Sequence, residues 1–181
     1  TYTYAQLDQR SSQLANLLTQ SGLIKGDRVA ILAHNCAEYI EVELAAAKTG
    51  IIVAALNWRL GDRELTHCIK LVEPKFIIAQ PEFIKPLARL GLSDHVLIET
   101  GVPYEQALVE QSDTYPTQNI DPEAGLVILY TSGTTGTPKG AVHTHCGFPV
   151  KAAQDMRHAM DVRAGDVGPG PRRRDAGRYV H

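Results

Sequence analysis

Two apolar rhythms alternate along this chain, and their alternation sets out its elements. Leu7, Leu14, Leu17 and Leu18 share one helical face, behind a Thr3–Gln6 capping box and ahead of a stop at Gly22. Lys25-Gly26-Asp27 then turns the chain into the apolar run Arg28 to Ala33, which reads as a strand. A second helix is predicted over 37–49, closed by Gly50, and a strand over 51–56. Asp62 is placed to cap a helix over 63–72, with Pro74 just past its end. A strand over 75–79, a short helix opened by Pro81, a strand over 95–99 and a short helix over 104–110 complete the series. Residues 111–123 are polar and read as a surface connection. GLVILY, Gly125 to Tyr130, is a compact apolar run and reads as a buried strand.

Strands separated by helices predict an α/β fold, a mainly parallel sheet with helices on both faces. Ligands of such sheets sit at the carboxyl ends of strands. GLVILY empties at that position into YTSGTTGTPKG, Tyr130 to Gly140. Within eleven residues this stretch holds three glycines (Gly133, Gly136, Gly140), five hydroxyl side chains (Thr131, Ser132, Thr134, Thr135, Thr137) and Lys139. Glycines let backbone N–H groups approach an anion closely. Hydroxyls donate to phosphate oxygens without adding charge, and lysine supplies a mobile positive point charge. A generic polar surface loop seldom concentrates these residue types, so the stretch reads as a polyphosphate cradle. It is not the common nucleotide loop, because the order is Lys139-Gly140 where GxxxxGK[ST] needs Gly-Lys, and Pro138 stiffens the approach to the lysine. After it, Ala141 to His143 reads as a short strand and 144–160 as a helix, with Pro149 tolerated only in a first turn.

YTSGTTGTPKG resembles the phosphate-binding signature of the acyl-adenylate-forming superfamily, which includes acyl-CoA synthetases, peptide-synthetase adenylation domains and luciferases. The opening, TYTYAQLDQRSSQLANLL through AALNWRL, is similar to the first part of the N-terminal domain of acyl-CoA synthetases, and NWRL followed by Glu64-Leu65 looks closest to the CoA-ligase branch. The likeness runs from Thr1 to about Val167. It implies an incomplete N-terminal AMP-binding domain over 1–167, ATP and Mg2+ as cofactors, and CoA as co-substrate. It implies activation of a small-molecule carboxylic acid as acyl-AMP, then transfer to a thiol acceptor. The same resemblance assigns Thr131, Ser132, Thr134 and Thr135, the N–H groups of Gly133 and Gly136, and Lys139 to the β- and γ-phosphates. In the family the adenine pocket, the magnesium-binding glutamate, the hinge and the adenylation lysine come later, so the 181 residues by themselves are not expected to make acyl-AMP. The alternative is a non-catalytic remnant or interaction module that keeps a phosphate-binding loop.

Composition narrows the picture further. Hydrophobic residues make up 44%, too many for a disordered chain. The net charge of −2 hides a basic end, because Gly168 to His181 carries four arginines and one aspartate. The body is therefore acidic, which argues against nucleic acid as a partner. Residues 168–181 are read as a divergent Gly/Pro/Arg tail, disordered, arising from a shifted reading frame or an artificial terminus; an arginine patch for anions is the rival reading. No apolar run reaches the roughly 18 residues of a membrane span. The start, Thr-Tyr-Thr-Tyr, shows no signal peptide and suggests trimming. Cys36, Cys68 and Cys146 lack CxxC spacing and read as reduced core filler in a cytoplasmic protein. If absent segments normally cover one sheet face, self-association through exposed core follows.

Other candidates have plainer readings. His143 and His145 have H-x-H spacing, which on a strand would put both rings on one face, but no third ligand lies nearby, and His145 reads as packing at the start of the following helix. Glu38, Glu41 and Glu43 read as a solvated helix face, and Arg59 as a structural partner for a carboxylate. Ser132 has no G-x-S-x-G setting, so no hydrolase nucleophile is expected.

Overall fold

The computed structural model describes residues 2–91, 95–115, 118–131 and 138–147, all within one unit spanning Thr1–Phe148. Its elements are α1 (Tyr4–Gln20), β1 (Arg28–Leu32), α2 (Ala37–Thr49), β2 (Ile52–Ala55), α3 (Asp62–Val72), β3 (Phe76–Ala79), α4 (Pro81–Arg89), β4 (Val96–Glu99), α5 (Val102–Val109), β5 (Gly125–Thr131) and β6 (Lys139–Thr144). The strands form one sheet in the order β4-β3-β1-β2-β5-β6. Every neighbouring pair is parallel except β5–β6, which is antiparallel. Chain length forces that exception: only residues 132–138 join the two strands, while a parallel return needs a crossover of a dozen or more.

Residues alternate between faces along each strand, and the two faces pack on different helices. Val29, Ile31, Val53, Phe76 and Ile78 join Leu14 and Leu18 of α1, Val42, Ala45 and Ala46 of α2, and Tyr104 and Leu108 of α5. Ala30, Leu32, Ala54, Ile77 and Ala79 join Leu65, Cys68, Ile69 and Val72 of α3 and Leu87 of α4. Burial on both sides is why β1 and β3 read as continuous apolar runs. The predicted α/β architecture, mainly parallel with helices on both faces, is the observed one.

Several boundaries differ from expectation for local reasons. Asp62 is the first residue of α3, and Gly61 occupies the cap; Glu64 Oε2 reaches back to accept the Gly61 N–H at 3.1 Å. α5 starts at Val102, since Pro103 suits a first turn where no N–H partner is needed. The strand predicted at 141–143 is longer, and Thr144 belongs to it, followed by a turn at His145 and Cys146. The remainder of the expected helix to Met160, and the tail 168–181, lie outside the described residues. Arg28 closes the far end of α3, donating through Nε to the Val72 carbonyl and through Nη2 to the Glu73 carbonyl at 3.1 Å. The polar connection is tied to α1 by Asn16, whose Nδ2 donates to the Ser112 and Thr114 carbonyls at 3.0 and 2.9 Å.

Three expectations about side chains are corrected. Glu41 is not solvated but fully buried, with 0% of its side chain exposed. Arg10 Nε donates to its Oε1 at 2.6 Å, and Arg10 Nη2 and the Tyr104 hydroxyl donate to its Oε2 at 3.2 and 2.8 Å. Arg10 also clasps Glu105 at 2.7 and 2.8 Å, so one guanidinium joins α1, α2 and α5. Of the cysteines only Cys68 is core; Cys36 is half-buried at the cap of α2, and Cys146 is exposed. Among the described residues Arg59 meets no carboxylate and instead lies over the Trp58 ring, 4.5 Å from its centroid.

Candidate phosphate-binding site

β5 carries the chain to the carboxyl edge of the sheet, and β6 brings it back. Thr131 pairs with Lys139 and Tyr130 with Gly140, so the seven residues between Thr131 and Lys139 leave and re-enter the sheet at adjacent points. Of the predicted site residues, Thr131 is the last residue of β5 and Lys139 the first of β6. The structure thus brings these two backbones side by side. Ser132, Gly133, Thr134, Thr135 and Gly136 lie outside the described residues. Lys139, expected within the loop, is in the strand and exposed; among the described residues its ammonium has no hydrogen-bond or ion-pair partner. Pro138 before it is buried.

Beneath this opening the pair Tyr130–Gly140 faces α3. The half-buried Tyr130 ring packs on the apolar cluster beneath α3, and its hydroxyl donates to the Cys68 carbonyl at 3.3 Å. Burial, with Cys68 beside it, holds the phenol above its ordinary range, so it stays a donor. At Gly140 an added Cβ would lie 2.9 Å from Ile128 Cγ2 and 3.9 Å from Tyr130 Cε1, so a side chain there would displace Ile128. The sequence reading treated Gly140 as a loop residue; its place in the strand opposite an aromatic is the signal that it serves packing.

The carboxyl ends of β1, β2 and β3 hold a second group that sequence reasoning gave no role. The His34 ring is edge-on to Trp58 at 4.3 Å and tilted against Phe83 at 5.4 Å, with His34 Nε2 3.4 Å from Glu82 Oε1. Trp58, 40% exposed, carries Arg59 on its other contact. Burial and Glu38 push the thiol of Cys36, near His34 in sequence, up to about 11, which disfavours the thiolate. Among the described residues, no three His, Cys, Asp or Glu side chains converge as a metal site. His145 Nε2 is buried without a hydrogen-bond partner among them, and burial together with Lys25 lowers its pKa.

Comparison with known proteins gives the geometry its context. The sequence profile of the family described as AMP-binding enzyme matches residues 1–171. Fatty acid–[acyl-carrier-protein] ligase ScoC of Streptomyces coeruleorubidus is 31% identical over 172 residues, covering 92% of this chain and 33% of ScoC. Feruloyl-CoA synthase of an Amycolatopsis species is 35% identical over 143 residues, 79% of this chain and 28% of that enzyme. Among solved structures, the inhibitor-bound N-terminal domain of FACL13 from Mycobacterium tuberculosis superposes with a TM-score of 0.72 at 31% identity, covering 79% of this chain and 37% of that one. ATP-bound MatB from Rhodopseudomonas palustris gives 0.76 at 28% identity, covering 86% and 32%. The chain spans about a third of the length of the curated relatives it matches. With a family profile over nearly all of the sequence and a fold shared with solved members, the chain belongs to the AMP-binding, adenylate-forming enzyme family.

Proposed function

We propose that this chain supplies the phosphate-binding part of an ATP-dependent acid–thiol ligase. In the whole reaction a carboxylate oxygen attacks the α-phosphorus of ATP, the bond to the bridging oxygen breaks, and acyl-AMP and pyrophosphate form. A thiol, from CoA or a carrier protein, then takes the acyl group and releases AMP. An anionic nucleophile must approach a polyanion, so the protein's contribution is positioning and charge compensation. Thr131, Ser132, Thr134 and Thr135 donate hydrogen bonds to the β- and γ-phosphates, with the N–H groups of Gly133 and Gly136. Lys139 neutralises the pyrophosphate as it leaves.

One observation carries this reading: a short hairpin opens at the carboxyl edge of β5 with an exposed lysine directly across from Thr131. That edge is where open α/β sheets take ligands. Magnesium belongs to the reading through the resemblance alone, and no residue described here is assigned to it. The names of the relatives include both carrier-protein and CoA acceptors, so the thiol is left as a class. The cysteines are free, which suits a reducing compartment such as the cytoplasm. No helix among the described residues is long and apolar enough to cross a membrane. Leu71 and Val142 stand 54% and 59% exposed by the β5–β6 end of the sheet, and the chain on its own self-associates through such surface.

Competition for the bound nucleotide tests the assignment. ATP binds the 181-residue chain, inorganic pyrophosphate displaces it, and AMP at equal concentration does not, since the loop holds the β- and γ-phosphates. Displacement by AMP but not by pyrophosphate overturns the assignment.

A further inference from the structure

Next to the last residue of β5, against α3, stands a tyrosine that the phosphate chemistry itself does not require. We propose that Tyr130 is a positioning residue for the loop, anchoring both of its stems to α3 through its hydroxyl bond to Cys68 and its ring beside Gly140. The inference rests on the phosphate-binding reading above and adds what fixes that loop in place.

The geometry has three parts. Tyr130 immediately precedes Thr131, so its backbone sets where the first stem leaves the sheet. Its hydroxyl meets a carbonyl of α3 at 3.3 Å, on a residue with no exposure of its own. Its ring lies cross-strand from Gly140, where the absence of a side chain leaves room over the second stem. An aromatic ring beside a cross-strand glycine, with Ile128 filling the space over it, favours one strand register, which β6 needs because β5 is its only neighbour among the described strands. A slip by one residue would carry Lys139 to the opposite face of the sheet. The hydroxyl and the ring therefore do different work: the first fixes distance to α3, the second fixes register.

Tyr130→Phe removes the hydroxyl and keeps the ring, while Tyr130→Ala removes both. Amide hydrogen exchange at the stem amides that bond between β5 and β6 is the first measurement, and uptake of inorganic pyrophosphate by the full 181-residue chain is the second. In Tyr130→Phe, exchange at those cross-strand amides rises about three- to fivefold and pyrophosphate binding weakens by a similar factor, as the loss of one modest hydrogen bond dictates. Exchange in β1 and β3 stays unchanged, which separates loop positioning from general stability. In Tyr130→Ala the β6 amides that face β5 lose protection further. Unchanged exchange at the stems in Tyr130→Phe overturns the anchoring role whatever pyrophosphate does. A wild-type chain with well-protected stems that takes up no pyrophosphate overturns the phosphate reading, and the positioning role falls with it.

Discussion

Replacing Arg10 by alanine removes the cation from a carboxylate that has no access to water. Glu41 lies at 0% side-chain exposure and accepts three hydrogen bonds, two of them from Arg10 at 2.6 and 3.2 Å. Without Arg10, among the described residues only the Tyr104 hydroxyl at 2.8 Å remains. Breaking one partner of a buried ion pair strands the other, at a cost of about 3–5 kcal/mol. Glu105 adds little to this figure, because it is half exposed and screened by solvent. Against a domain stability of about 5–15 kcal/mol the loss is large. In a chain of this size it lowers the melting temperature by roughly 6–20 °C. Urea unfolding followed by circular dichroism at neutral pH reads it as a lower midpoint at unchanged slope. Substituting both partners, Arg10→Met with Glu41→Met, returns most of the stability, since an apolar pair needs no compensation. A loss below about 1 kcal/mol for Arg10→Ala, or a double variant as unstable as the two single losses added together, refutes the reasoning.

Gly50 closes α2 at φ 73°, and a Cβ there would stand 3.0 Å from both Ile120 Cδ1 and Lys25 Cγ, so Gly50→Ala lowers unfolding free energy by at least about 1–2 kcal/mol in the same assay. Burial pushes the Asp27 carboxyl up, but Lys75 at 2.7 Å, the Ile24 N–H at 2.8 Å and Arg28 together hold it below its ordinary range. Its hydrogen bonds from Arg10 hold Glu105 low in the same sense. Both groups therefore stabilise the fold fully above the ordinary carboxylate pKa of about 4 and lose that contribution as pH falls through their folded values. Lys75→Met shrinks the drop in urea midpoint between pH 7 and pH 3, and an undiminished drop discards the Asp27 contribution. The 181 residues alone show no ATP–pyrophosphate exchange with any carboxylic acid, so measurable exchange would place more of the catalytic machinery in this segment than proposed.

The alternation of helices and strands was legible because each element buries a regular stripe. Leu14 and Leu18, or Val29 and Ile31, show their period without any knowledge of what they pack against. The path of GLVILY into the loop was legible for the same reason. The burial of Glu41 was not, because a carboxylate between Glu38 and Glu43 looks like part of a charged face. Its cation is 31 residues away on another helix. One signal was present all the same: Glu41 stands four residues before fully buried Ala45, and Arg10 four residues before Leu14, so each charge interrupts an apolar stripe. The antiparallel return of β6 was likewise implicit in the short connection after Thr131, but the lysine drew attention to chemistry and away from strand pairing. Arg59 shows the limit of charge reasoning, since its partner among the described residues is the neighbouring indole and no carboxylate. The candidate site is named from residue types in order; the cross-strand placement of Lys139 against Thr131 is a matter of register, which a single strand's sequence does not specify.

The central claim is that the turn joining β5 to β6 receives the pyrophosphoryl end of ATP. Its most direct measurement is a titration of the isotopically labelled chain with ATP, following the backbone amide signals of residues 131–139 in the wild type and in Lys139→Ala. The signals of Gly133, Thr134, Thr135 and Gly136 should move together and saturate, and Lys139→Ala should raise the dissociation constant by about one to two decades, the effect of one charge-assisted hydrogen bond. Signals that stay fixed there while others move elsewhere, or an affinity indifferent to Lys139→Ala, would remove the loop from nucleotide binding.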